Sequence, residues 1–207
     1  MGKLTVGSNP TVSASASFEP RSAMAGVRRV HGAGTRSRAT VAAAMATDPI
    51  LAADPEHDRW MDLALDEARQ AADHGDIPIG AVVVRRGPDG SAQIVAARHN
   101  ERELHDDPTA HAEVLALRDA ATALGRWRLD DCLLVVTLEP CPMCAGAAWA
   151  SRIGGVVFGA ESMDAGSLGS LYHLGQDPRL NHEFPVRGRV AAEQSAELLH
   201  RFFDQRR

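Results

Sequence analysis

Long apolar runs are absent from this 207-residue sequence, and no window approaches the roughly 18 consecutive apolar residues that predict a transmembrane helix. Cysteines are few, and three in a chain of this length do not make a disulfide framework. The net charge of −5 argues against a strongly basic nucleic-acid-binding protein. An apolar content of 44% is nevertheless ordinary for a globular protein, so wholesale disorder is excluded.

The charge is distributed unevenly and divides the chain near residue 47. Residues 1–47 carry six bases and one acid, which leaves 16 bases and 26 acids for the remaining 160 residues. This first segment is rich in Ser, Ala and Thr without apolar periodicity, so we expect a disordered, basic N-terminal extension. Three interpretations stay open: an organelle transit peptide, an upstream start codon with Met45 as the true first residue, and a basic arm for RNA. The expected location is the cytoplasm, or an organelle if residues 1–47 are a transit peptide.

From residue 56 onward, helical and strand-like apolar patterns alternate. They predict, in order, a helix over 56–74, strands over 79–84 and 93–97, a helix over 109–124, a strand over 133–138, a helix over 145–150, a strand over 156–158, a loop-rich stretch over 159–189 and a helix over 190–205. The second helix is predicted to bury Val114, Leu117, Ala121 and Leu124, and the last one is predicted to pack Phe202 and Phe203 into the core. This order predicts an α/β fold with a layered sheet.

Two short motifs, about thirty residues apart, carry the chemistry: His111-Ala112-Glu113 and Pro140-Cys141-Pro142-Met143-Cys144. Cysteines three positions apart share a helical face, so both thiolates can reach one ion. With His111 they make three ligands, which suits a catalytic zinc that leaves its fourth position to water. A structural zinc site stays open as the alternative if another histidine supplies a fourth ligand. Cys132 lies at the far end of the preceding strand, and we expect it to be a buried small hydrophobe.

Glu113 is the candidate for the second half of such chemistry. Zinc lowers the pKa of a bound water towards about 7, and a carboxylate beside that water can take its proton and pass it to a substrate. Taken alone, Glu113 is better explained as an acid in the first turn of a helix, where it interacts favourably with the helix dipole.

His-Ala-Glu followed by Pro-Cys-x-x-Cys resembles the signature of the zinc-dependent nucleobase deaminases. From about residue 58 to residue 207 the chain resembles the bacterial tRNA-specific adenosine deaminases. The stretches that carry the resemblance are Ile77-Pro78-Ile79-Gly80-Ala81-Val82, Asp107-Pro108-Thr109-Ala110-His111-Ala112-Glu113, Thr137-Leu138-Glu139-Pro140-Cys141-Pro142-Met143-Cys144-Ala145-Gly146-Ala147, Ser151-Arg152-Ile153, Val156-Val157-Phe158-Gly159-Ala160, Gly169-Ser170-Leu171 and Asn181-His182. The zinc half is shared with guanine and cytosine deaminases, whereas the last stretches and the Phe202-Phe203 helix look specific to the tRNA enzymes.

The resemblance implies a function and a site. Residues 56–207 would form a deaminase domain with a three-layer cytidine-deaminase-like fold, a five-stranded mixed sheet flanked by helices. His111, Cys141 and Cys144 would bind one zinc ion per subunit, Glu113 would shuttle protons, and Asn100 would hydrogen-bond the target base. The reaction would be hydrolysis of adenosine to inosine at the wobble position of a tRNA, with attack at C6 and release of ammonia. The expected partners are the anticodon loop of an arginine tRNA and a second copy of the chain in a homodimer, with no membrane.

One segment departs from the family pattern. Residues 161–166 read Glu161-Ser162-Met163-Asp164-Ala165-Gly166, with acids where the family carries a lysine in a loop that helps to hold the anticodon. An acidic loop weakens RNA binding, which depends on phosphate neutralisation. Compensation is available from the extension 1–47 or from arginines at positions 179, 201, 206 and 207. Two alternatives therefore stay open: a deaminase of a free base or nucleoside such as guanine or cytosine, and a non-catalytic, zinc-stabilised RNA-binding module.

Overall fold

The computed structural model describes residues 54–206. The predicted extension, residues 1–47, lies outside the described residues. The helices are α1 (Pro55–Asp73), α2 (Arg102–His105), α3 (Ala112–Leu124), α4 (Pro142–Ala150) and α5 (Ala192–Asp204), with a 3₁₀ turn at Leu174–Gln176. The strands are β1 (Gly80–Arg86), β2 (Ala92–His99), β3 (Cys132–Leu138), β4 (Gly155–Ala160) and β5 (Val186–Arg187). None of the helices within 54–206 combines the length and the apolar character needed to span a membrane.

The strands form one mixed sheet in the order β2-β1-β3-β4-β5. β1 runs antiparallel to both of its neighbours, β2 and β3, whereas β3, β4 and β5 are parallel. β1, β3 and β4 are buried along nearly their whole length, because Val, Leu and Ala occupy both of their faces. Such strands belong at the centre of a sheet covered by helices on both sides. The predicted α/β class and five-stranded mixed sheet are therefore confirmed.

Alternate residues of the central strands supply two separate apolar cores. On β1, Ala81 and Val83 join one core, and Val82 and Val84 join the other. α1 packs on the Val82 side through residues such as Trp60, whereas α3 and α4 pack on the Val83 side. The result is three layers, in which the two helices that carry the sequence motifs share one face of the sheet.

The structure corrects the prediction for α3. This helix begins at Ala112 and not at residue 109, because His111 has extended backbone angles (φ −76°, ψ 146°) and forms the N-cap. Its buried residues are Ala112, Glu113, Leu115, Ala116, Leu117 and Ala120. Of the predicted face, only Leu117 is fully buried, since α3 turns its smaller side chains towards the sheet. Alanines on that side allow a close approach of the helix to the strands.

The last part of the chain also differs from the prediction. Phe202 is buried as expected, but Phe203 is 47% exposed, so the prediction that both pack in the core was wrong for Phe203. The two rings meet edge to face instead, with centroids 5.5 Å apart. β5 and α2 were not predicted, because elements of two and four residues are too short to show an apolar period.

One buried side chain of α1 is poorly satisfied. His57 is 1% exposed, and neither of its ring nitrogens has a hydrogen-bond partner in the described residues. Burial lowers its pKa below the ordinary 6.5, and the charges of Arg187 on β5 and Arg86 on β1 act in the same direction. Asp54 and Asp58 oppose this shift without cancelling it. At neutral pH the folded protein therefore holds His57 uncharged. No hydrogen bond from the described residues offsets the cost of burying its two ring nitrogens.

We predict that His57→Leu stabilises the protein by about 1 kcal/mol at pH 7, because two unsatisfied buried nitrogens are replaced by an apolar group of similar size. The unfolded chain takes up a proton at His57 below about pH 6.5, whereas the folded protein does so only at a lower pH, so the stability of the wild-type protein falls as the pH falls through this range. Urea unfolding at pH 7.5 and pH 5.5 should show a weaker pH dependence for the variant. His200→Gln, at an exposed position of α5, is the control and should follow the wild type. An equal pH dependence of His57→Leu and wild type would contradict the prediction.

Candidate metal centre

Strand direction brings the two sequence motifs together. β2 and β3 both run antiparallel to β1, so they end at the same edge of the sheet, and α3 and α4 begin beyond that edge. His111 is the N-cap of α3 and Cys141 is the N-cap of α4, and each has extended backbone angles. Neither side chain caps its own helix, so both remain available to a ligand. Cys144 lies in the first turn of α4, where Pro142 starts the helix.

The three predicted ligands lie at zinc-binding distances from one another. The Sγ atoms of Cys141 and Cys144 are 3.6 Å apart, and the Nδ1 atom of His111 is 3.9 Å from the first and 3.5 Å from the second. A tetrahedral zinc ion with bonds of about 2.3 Å to sulfur and about 2.0 Å to nitrogen requires S···S and S···N separations of about 3.8 and 3.5 Å. The donor set and its spacing therefore fit zinc.

The number of ligands is consistent with a catalytic site. Among residues 54–206, His111, Cys141 and Cys144 are the only group of three or more histidine, cysteine or acidic side chains with donor atoms close enough to share an ion. A structural zinc site would need a fourth such side chain. Cys132 does not supply it: this residue begins β3, is buried, and contacts the Asp131 carboxylate. Burial raises the pKa of its thiol to about 12, as suits an inert core residue.

The local electrostatics favour an anionic sulfur. A hydrogen bond from the Cys144 thiol lowers the pKa of Cys141 to about 4 against the effect of burial, and His111 contributes in the same direction. Hydrogen bonding to Cys141 and burial raise the pKa of Cys144, because the second thiol must stay protonated while it donates to the first. The pKa of His111 is raised, chiefly through its hydrogen bond with Cys141. A cation bound between them would satisfy both sulfurs as thiolates.

Glu113 lies in the first turn of α3, close enough to His111 and Cys141 to interact electrostatically with both. Its side chain is 4% exposed, and its Oε2 atom has no hydrogen-bond partner among the described residues. Burial raises the pKa of this carboxyl group, whereas the nearby His111 opposes the rise. A buried carboxylate oxygen without a partner is costly, and such atoms cluster where a ligand completes the site. An acid that only complemented the helix dipole would be exposed at the helix surface.

Asn100 is placed beside the same helix start. It is 1% exposed, and its Oδ1 atom accepts a hydrogen bond of 3.0 Å from the backbone N–H of Ala112. Its own backbone N–H donates to the carbonyl of Ile79. The amide therefore holds the first residue of α3, which lies between His111 and Glu113. With Oδ1 used in this way, the Nδ2 group is the end of the side chain left for a ligand.

The structure also shows a residue that sequence reasoning missed. Glu139, between β3 and Cys141, is 2% exposed, and its carboxylate accepts hydrogen bonds from the loop that follows β4. The only sequence signal was its place in the Glu-Pro-Cys motif, which does not tell which segment it contacts. In that same loop, Glu161 pairs with Arg189 at 3.6 Å, so part of the predicted acidic charge is neutralised.

Comparisons with known proteins agree with this geometry. Residues 54–160 match the sequence model of the cytidine and deoxycytidylate deaminase zinc-binding region. The tRNA-specific adenosine deaminase of Bacillus subtilis (strain 168) is 45% identical over 148 residues, which cover 72% of this chain and 89% of that protein. A solved structure from studies of A-to-I editing by tRNA:A34 deaminases at the wobble position of transfer RNA has a TM-score of 0.63 at 40% identity, covering 68% of this chain and 99% of that one. Guanine deaminase from Nitrosomonas europaea is more distant, with a TM-score of 0.57 at 26% identity over 77% of this chain and 90% of that one.

The region matched by the family model contains all three predicted ligands and Glu113. The predicted zinc cofactor is thereby confirmed, whereas the roles of the individual residues stay predictions. The higher identity and TM-score lie with the tRNA deaminases and not with the guanine deaminase. The chain belongs to the zinc-dependent cytidine and deoxycytidylate deaminase family, among the tRNA-specific adenosine deaminases.

Proposed function

We propose that the protein converts adenosine to inosine at the wobble position of a tRNA by hydrolysis and release of ammonia. The observation that carries this proposal is the buried Glu113 carboxylate, whose unpartnered Oε2 lies beside a group of three ligands that fits zinc. Similarity to tRNA-specific adenosine deaminases over most of the described residues supports the choice of substrate. We assign the activity to a single deaminase domain over residues 56–207.

Each site residue then has a role. His111, Cys141 and Cys144 would hold the zinc ion, which when bound would lower the pKa of water and so supply a nucleophile at neutral pH. Glu113 takes the first proton of the attacking water at Oε2 and delivers it to N1 of the adenine, which makes C6 more electrophilic. After attack at C6, Glu113 takes the second proton and passes it to the departing amino group. Water and adenosine are consumed, and inosine and ammonia are formed.

Asn100 is assigned to binding of the target base. Its Oδ1 atom is held by the Ala112 N–H, so its Nδ2 group donates to an acceptor on the edge of the purine. The base must leave the stack of the anticodon loop to reach this buried group. The same hydrogen bond links base binding to the position of α3.

The partners follow from the same proposal. We expect the anticodon loop of an arginine tRNA as the substrate, a homodimer as the active form and the cytoplasm as the location. Two arginines that can contact phosphates already form ion pairs: Arg201 pairs with Glu197, and Arg179 pairs with Asp177. Arg206 donates to the Gly75 carbonyl and lies over the Phe202 ring. The pair of Arg201 with Glu197 is exposed on both sides and therefore weak, so Arg201 can exchange its partner for a phosphate at little cost.

The test of the function is inosine formation by the zinc-loaded protein on a total tRNA pool, read by sequencing across the anticodon. Adenosine, guanine and cytosine run in parallel report ammonia release from free substrates. We expect inosine at the wobble position and no ammonia from the free bases. Ammonia from guanine or cytosine with unmodified tRNA would replace the proposed substrate with a free base. Zinc binding without either product would favour a non-catalytic module.

We predict that Glu113→Ala lowers kcat by about 1,000-fold, because general acid–base catalysis contributes roughly that much. Zinc content and the unfolding midpoint should stay close to wild type. Glu193→Ala is a matched control, since Glu193 occupies the same position in α5 that Glu113 occupies in α3, but is exposed. It should retain full activity. Equal activity of the two variants would remove Glu113 from the mechanism.

We predict that Asn100→Asp keeps the fold and lowers kcat/KM for tRNA by about 100-fold. Aspartate preserves the oxygen that accepts from the Ala112 N–H but lacks the Nδ2 donor, and sites built around a hydrogen bond reject partners that cannot make it. Steady-state kinetics and zinc analysis of the purified variant provide the check. Activity within about threefold of wild type would restrict Asn100 to capping α3.

A further inference from the structure

The Glu139 carboxylate accepts hydrogen bonds from several residues of the loop that follows β4 and so fixes the position of that loop. Its Oε1 atom accepts hydrogen bonds from the backbone N–H groups of Leu168, at 3.0 Å, and Ser170, at 2.9 Å. Its Oε2 atom accepts from the backbone N–H of Ser162, at 3.1 Å, and from the Ser170 hydroxyl. Burial acts to raise the pKa of Glu139, but the bonds from Ser170, Ser162 and Leu168 outweigh it and the pKa is lowered. The carboxylate is therefore charged at neutral pH. All four of these hydrogen bonds come from uncharged donors.

The loop held in this way, residues 161–173, is packed tightly against the metal-binding segment. A Cβ atom at Gly166 would overlap Oε2 of Glu139, so only glycine allows this close approach. The backbone N–H of Ser167 donates to the carbonyl of Pro140 at 2.9 Å, and Pro140 directly precedes the ligand Cys141. The loop 161–173 is thus attached to the two residues that lead into α4.

The loop 161–173 leaves three large apolar side chains exposed to solvent. Met163 is 71% exposed, Leu171 is 49% exposed, and Tyr172, the single tyrosine of the chain, is 55% exposed. Together they offer a partner apolar contact area beside the metal-binding segment. Single-stranded nucleic acid offers unstacked bases that can stack on an aromatic ring such as that of Tyr172, and this contact needs no positive charge.

We propose that Glu139 is a positioning residue for RNA binding: it fixes the loop 161–173 against the zinc-binding segment, so that Met163, Leu171 and Tyr172 contact the bases that flank the target adenosine. This inference rests on the proposed function. Glu139 touches neither the zinc ligands' donor atoms nor the substrate in this assignment, and acts through the loop. It also explains how the loop serves an RNA substrate despite its acidic residues, since base stacking replaces part of the phosphate contact.

The experiment compares Glu139→Gln with wild type on tRNA. Glutamine keeps the size of the side chain, but its NH₂ group faces an N–H or O–H donor, so at least one side of the loop is released. We expect KM for tRNA to rise about tenfold and kcat to stay within about twofold, the pattern of lost binding without lost chemistry. Zinc content should be unchanged, and amide hydrogen exchange should accelerate at Ser162, Leu168 and Ser170.

Glu161→Gln is the matched control. It also removes one negative charge, but from the loop 161–173 itself, where Glu161 is exposed and its carboxylate is paired with Arg189 outside the Glu139 cluster. Loss of a negative charge on an RNA-binding surface does not weaken binding. A rise in KM for Glu139→Gln and none for Glu161→Gln therefore isolates positioning from charge.

Ser170→Ala covers the case in which Glu139→Gln does not fold, because it removes one hydroxyl donor and leaves the carboxylate in place. Its KM should rise about threefold. An unchanged KM in whichever variant folds overturns the proposal, and so does a loss of zinc with a fall in kcat alone. Absence of inosine from the wild-type reaction would overturn the proposed function and this proposal together, whereas wild-type activity with unaltered KM in the variants overturns this proposal alone.

Discussion

The close packing of α3 and α4 on one face of the sheet is the constraint on which the site depends. α3 provides one ligand and α4 provides two, so neither helix can hold zinc by itself. The helices bury alanines in their common core, Ala112 and Ala116 from α3 and Ala145 and Ala148 from α4. Side chains of this size permit short distances between helix axes and sheet. Larger residues there would separate the helix N-termini and with them the ligand atoms.

Two carboxylates near these N-termini, Glu139 and Glu113, are both buried, but their hydrogen bonding differs. Glu139 receives four hydrogen bonds, and the pKa of its carboxyl group is lowered despite burial. Glu113 leaves one oxygen without a partner in the described residues, and burial raises its pKa. The first arrangement stabilises a fixed structure, because protonation of the carboxylate would break the hydrogen bonds that it accepts. The second is suited to an atom that exchanges protons with a ligand.

The sequence was sufficient for what depends on spacing. His111, Cys141 and Cys144 were predicted because the types of the ligand residues and their spacing can be read directly from the sequence. The central strands were predicted because their apolar runs are long. The start of α3 was misplaced because the helix begins only after His111, whose extended backbone angles follow the turn at residues 107–109 and leave no trace in the apolar pattern. The partners of Glu139 lie 23 to 31 residues away in a loop without periodicity, so no local pattern indicates them.

The hydrogen bond from Ala112 to Asn100 fixes more than the start of a helix. An asparagine amide can usually rotate by half a turn and exchange its oxygen with its nitrogen, and then it reads donors and acceptors alike. Here the rotation would set an NH₂ group against a backbone N–H, so the amide has a single orientation. In the assigned role, the Nδ2 group of Asn100 is therefore always a donor. It binds a base edge that presents a lone pair and does not bind one that presents an N–H group.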